Sequence, residues 1–200
     1  MPNSKMMKTA AVLDRIAKIL GGVARVCGFV CLVFVVLVLV LGEKVFVPGS
    51  NVLVLGFVEF ALSADYQTIT PAVRAYTAVS LAIAAISCFI FFFIMKHLRA
   101  VLSAVKEGKP FEQSVSANFR SLGILSLIGG LVTELFKWAQ QLLLIRAYPL
   151  DEIFSSLAIT GMEINFIMDT EFILVALVFF LLSWIFAYGS ELQRQSDETL

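Results

Sequence analysis

The sequence predicts an all-α membrane protein, four transmembrane helices with short extracytoplasmic β elements, and three observations carry that prediction. The chain is 60% hydrophobic and only 15% charged, with a mean hydropathy of +0.93, far from the make-up of soluble domains. Its apolar residues gather in four segments, 22–42, 76–95, 119–145 and 171–188. A hydrocarbon core of about 30 Å takes about 20 residues of helix to cross. Finally, Lys and Arg collect at alternate ends of those segments.

Lys5, Lys8, Arg15, Lys18 and Arg25 flank the first segment, and Lys96, Arg99, Lys106, Lys109 and Arg120 lie between the second and third. The other two connections hold only Lys44, Arg74 and Arg146 among acids such as Glu59, Asp65, Asp151 and Glu163. Basic flanks stay on the cytoplasmic side during insertion and acids contribute little. Both termini are therefore expected in the cytoplasm, with outer loops 43–75 and 146–170 and an inner loop 96–118. The first segment reads as a retained signal-anchor, because its leader and its apolar run are long for a cleaved signal peptide. A single membrane domain over 1–200 leaves little chain for a soluble output module. Zero net charge argues against direct nucleic-acid binding.

Within 5–20, Met6, Leu13, Ile16 and Leu20 recur near helical spacing with Lys8, Arg15 and Lys18 between them. Such a helix suits the headgroup layer. The first outer loop carries β-branched runs at 45–47 and 52–60 around Pro48, Gly49, Ser50 and Asn51, which reads as a hairpin. Partial alternation over 163–169 offers a strand for that hairpin to pair with. Thr70 and Pro71 open the second span as N-cap and first helical residue. Its apolar stripe runs on through Leu98, Val101, Leu102 and Val105, and needs lipid, the third helix or a partner to cover it. Gly108 and Pro110 then stop the helix, and Phe111 opens the re-entry. At the far end, Glu191, Asp197 and Glu198 read as a solvated tail.

Polar groups in the third span stand out. Glu134 falls near the bilayer midplane, followed by Lys137 and Gln141. Buried ionised groups usually pair and face a bundle interior. A spacing of three lets Glu134 and Lys137 pair within one helix; the other reading is a proton, ion or ligand site. Small residues, Ser126, Gly129, Gly130 and Thr133 here and Ala78, Ala82 and Ala85 in the second span, allow close helix approach. Cys27, Cys31 and Cys88 read as apolar packers, and His97 stands alone. No zinc, phosphate-loop or nucleophile motif is present, so no catalytic residue, metal or cofactor is expected.

Two stretches carry a resemblance. One is Glu107, Gly108, Lys109, Pro110 and Phe111, followed by Asn118, Phe119 and Arg120; the other is Tyr188 and Gly189 running into Glu191, Leu192, Asp197 and Thr199. With four spans at this spacing, they resemble a bacterial family of small four-pass membrane proteins of unknown function, which implies the bacterial plasma (inner) membrane. Members often neighbour genes for small helix-turn-helix regulators, which by analogy implies a membrane partner of such a regulator. The resemblance supplies no catalytic residue.

The expected interface is 106–120 plus 191–199, with Gly108, Lys109, Pro110, Phe111, Arg120, Tyr188, Gly189, Glu191 and Asp197 as its residues. An Arg120–Glu191 pair is expected to join the two stretches. The alternative is a small proton- or ion-coupled transporter that uses Glu134. Besides the lipid bilayer and a cytoplasmic DNA-binding regulator, a second copy of the chain is an open partner.

Overall fold

Four long helices account for most of the chain that the computed structural model describes, namely residues 4–42, 52–55, 58–61, 71–147 and 168–198. The order is α1 (Ser4–Leu41), β1 (Val52–Leu55), β2 (Val58–Ala61), α2 (Pro71–Lys106), α3 (Gln113–Ala147) and α4 (Glu171–Glu198). All four helices are long and apolar enough to cross a membrane, and the chain is a multi-pass membrane protein. Each runs past its predicted span. At 1.5 Å per residue, the 38 residues of α1 measure about 57 Å, nearly twice the hydrocarbon thickness.

Helix boundaries follow the local chemistry. α2 starts at Pro71 and ends at Lys106, where Gly108 adopts a φ of +76° that few side chains tolerate. The 5–20 segment is not a separate interfacial helix, because α1 continues through it without a break. No Gly or Pro interrupts residues 4–20, so nothing there favours a bend.

The hairpin also differs from expectation. β1 and β2 pair antiparallel, Val52 with Ala61 and Leu55 with Val58, so the 52–60 run folds back on itself rather than forming one strand. Residues 45–51 and 163–167, the other expected β segments, lie outside the described residues. Met168, Asp169 and Thr170 have no regular structure.

The chain divides into two compact units: Met1–Phe29, Ile86–Glu134 and Met168–Leu200 form the first, and Val30–Ala85 with Leu135–Ile167 the second. In the first unit, Val101, Ala104, Val115, Phe119 and Leu122 make the core, packed against Ile94, Phe179, Leu182 and Phe186. The apolar stripe of α2 is thus covered by α3, with Val101 buried and Leu98, Leu102 and Val105 half-buried. α1 joins through Ala10, Asp14, Ala17, Gly21, Ala24 and Gly28, spaced alternately by four and three. Small residues at that repeat let helices approach closely; Met95 lies against Gly21 and Phe89 against Gly28. Ile16, Ile19, Val23 and Val26 on this part of α1 are exposed.

The second unit holds β1 and β2. Ala78 and Ala85 are buried there, as the small-residue stripe implies. Gln140 donates from Nε2 to Ser80 Oγ at 2.8 Å, and Ser80 Oγ donates to the Tyr76 carbonyl at 2.8 Å. Gly42, with a φ of +45°, closes α1 beside the Arg74 guanidinium.

Candidate functional site

The α2–α3 turn is built by one glycine. Gly108 N–H donates to the Val105 carbonyl at 3.2 Å and Lys109 N–H to the Ala104 carbonyl at 3.0 Å. This pair of bonds is a Schellman cap with Gly108 in the left-handed position. Glu112 N–H then donates to the Lys109 carbonyl and Val115 N–H to the Glu112 carbonyl, so α3 starts after only six residues. Pro110, with its fixed φ, brings Phe111 back over the helices.

Phe111 joins the two stretches that carry the family resemblance. Its ring lies 5.7 Å from that of Phe186, and it covers Gly189 so closely that a Cβ there would sit 2.5 Å from Phe111 Cδ1. Phe186 in turn stacks on Phe119 at 5.1 Å, and Phe119 on Phe179 at 6.5 Å. Offset aromatic contacts of this kind add to area burial. Gly189 is therefore required by close approach.

Residues 118–120 point three ways. The Asn118 carboxamide accepts from His97 Nδ1 at 2.9 Å and donates from Nδ2 to the Ser114 carbonyl at 2.8 Å, which puts the proton on Nδ1 of His97. Phe119 enters the core. Arg120 is exposed on the groove between α3 and α4.

The expected Arg120–Glu191 pair is absent. Glu191 instead accepts from Arg194 Nη2 at 2.8 Å and from Gln195 Nε2 at 3.2 Å. Arg194, and after it Gln195, hold the Glu191 carboxyl below its usual range. A partner three residues away on the same helix costs little to reach, whereas Arg120 would have to cross from another helix. Among the described residues no acid pairs with Arg120. Tyr188, Lys109 and Asp197 are exposed, and Thr199 lies outside the described residues.

Two further links have no counterpart in the sequence reading. Ser116 Oγ donates to the Ser183 carbonyl at 2.9 Å, and Ser183 Oγ donates to the Ser116 carbonyl at 3.0 Å, a reciprocal clamp between α3 and α4. Nothing local marks either serine, since both belong to ordinary helical runs. Asp14 accepts from Arg99 Nε and from Lys106 Nζ, each at 3.0 Å. Lys106, then Arg99, hold its carboxyl below the ordinary 3.8. Its place in the small-residue repeat of α1 is a usable signal, because an acid there must meet a cation from the facing helix.

Glu134 is buried at 4% exposure, and one carboxylate oxygen accepts the Asp169 N–H at 3.2 Å. Just below it, Phe172 lies against Gly130 so closely that no Cβ fits. Lys137 and Gln141 belong to the second unit, and both are half-buried. Among the described residues no group of three His, Cys, Asp or Glu side chains is arranged to hold a metal.

A family model described as a protein of unknown function, DUF2975, matches residues 61–200. The chain belongs to that family. The matched range takes in α2, α3 and α4 whole, with the Gly108–Pro110 turn and the end of α4, while α1 precedes it. No curated protein and no solved structure matches the chain.

Proposed function

We propose that this member of the family is a non-enzymatic protein of the bacterial plasma membrane that acts by holding a small cytoplasmic helix-turn-helix regulator. The observation that carries the reading is the Phe111 contact over Gly189. It draws the α2–α3 turn and the end of α4 into one surface, where Lys109, Tyr188 and Asp197 are exposed. The basic residues of the 96–120 segment support a cytoplasmic position for that surface, with both termini on the same side and the β hairpin outside. The exposed groups differ in charge and include an aromatic ring, a mixture suited to protein contact.

Affinity purification from native membranes tests this. A DNA-binding protein encoded nearby is expected to co-purify, and Lys109→Glu combined with Tyr188→Ala to reduce its recovery while folded yield stays constant. Recovery of the membrane protein without any cytoplasmic partner would count against the reading.

A coupled transporter ranks second. Burial of Glu134 favours it, but the bond from Asp169 N–H gives that carboxylate a structural duty at the entry to α4. Proton-coupled flux in proteoliposomes that disappears with Glu134→Gln would reverse the order.

A further inference from the structure

A groove of about 780 Å³ runs between α3 and α4, within the first unit. The antiparallel register of its walls is set by the Ser116–Ser183 clamp and by Phe180, which lies against Gly123. Leu177 is therefore at the end far from the α2–α3 turn, Phe180 and Arg120 come next, and Gln113 lies at the end near the turn. Trp184, 77% exposed, borders the groove beside the clamp.

From the far end the lining passes from Leu177 and Phe180 to Arg120, then to a mixed stretch in which Gln113 lies beside Ala187 and Trp184. Apolar groups followed by a cation match the order of acyl chain and phosphate in a phospholipid. The charge also fits: Arg120 has no acidic partner among the described residues, and a guanidinium can grip a phosphate with two parallel hydrogen bonds. Its place at the start of the 121–133 apolar run puts that grip where the hydrocarbon ends. An indole at such a boundary matches the aromatic belt of membrane proteins. Ser116 and Ser183 spend their hydroxyl protons on each other's carbonyls, which leaves the side chains of Arg120, Gln113 and Trp184 as the donors along the lining.

We infer that this groove binds one anionic glycerophospholipid, its phosphate on Arg120, its acyl chain along Phe180 and Leu177, and its headgroup toward Gln113. The site stands independently of the regulator-binding reading.

Native mass spectrometry of the detergent-solubilised full chain, with phosphatidylglycerol or the phosphate-free lipid diacylglycerol added, tests it. A charge-assisted contact gives the anionic lipid about tenfold higher occupancy. Arg120→Gln removes that preference. Arg194→Gln, which takes away an exposed cation of the same unit, keeps it. Soluble glycerophosphoglycerol, a headgroup without chains, does not displace the lipid. Equal occupancy by the two lipids in the unaltered chain overturns the site, a result that needs no variant to fold. So does a preference that survives Arg120→Gln or is lost equally with Arg194→Gln. Displacement by the soluble headgroup overturns the acyl-chain part and makes Arg120 a site for free phosphate esters.

Discussion

The helices of the first unit are held by two different chemistries. Where α2, α3 and α4 meet, large side chains interlock: Leu122 and Val115 are fully buried, and the Phe111, Phe186, Phe119 and Phe179 rings follow one another. α1 meets α2 through alanines and glycines, with one acid fastened to two cations. The first arrangement depends on shape, since removing or adding one methyl group leaves a void or a clash. The second depends on closeness, and its few side-chain atoms leave less to lose. The family match follows the same division, taking in α2–α4 and not α1.

Substitutions can break or sharpen this contrast. Leu122→Ala has the largest expected effect, a loss of about 2–5 kcal/mol for a buried leucine, read as a lower melting temperature of the detergent-solubilised protein. Gly189→Ala comes next, because a Cβ there lies 2.5 Å from Phe111; overpacking costs about 1–3 kcal/mol. The pair Gly189→Ala with Phe111→Ala is expected to be non-additive, the second change relieving the clash of the first.

At the α1 contact the effects shrink. Asp14→Asn is expected to cost roughly 0.5 kcal/mol or less, since Arg99 and Lys106 are each more than a third exposed and solvent screens such pairs. The sign with pH follows from the lowered carboxyl. Its contribution is present in full above the ordinary 3.8 and is lost as pH falls through the lower folded value. Melting curves of parent and Asp14→Asn should therefore converge in acid. Gly28→Ala has the smallest net effect. Phe89 must yield slightly to a Cβ 3.1 Å away, while alanine gains about 0.5–1 kcal/mol in helix propensity over glycine. A cost at Gly28 as large as at Gly189 would erase the distinction.

Periodic and punctuating signals made much of the fold legible. Pro71 opens α2 and Gly108 ends it with a positive φ, each a consequence of what one residue's backbone permits, and α4 opens at Glu171, the first residue of the fourth apolar segment. Contacts between helices were harder to read. The two serines of the α3–α4 clamp carry no local pattern, because their meaning depends on a register that only packing sets. The expected Arg120–Glu191 pair fails for a related reason: Arg194 lies three residues from Glu191, and local geometry prevails over a contact between helices. The repeat of steps of four and three in α1 is hidden from a hydropathy reading, because alanine, glycine and valine all read as apolar. In the candidate surface, the two stretches are expected to meet through Arg120 and Glu191, and that pair does not form. They meet instead through the Phe111 ring on Gly189, a contact that no local pattern announces.

The brevity of the Gly108 turn bears on how the protein enters its bilayer. Only residues 107–112 separate α2 from α3, too few for the second helix to wander from the first. A nascent chain that has exposed both helices can partition them laterally as one preformed hairpin, with contacts close along the sequence and closing quickly. Phe111, which Gly189 of α4 packs against, is then in place before α4 is synthesised.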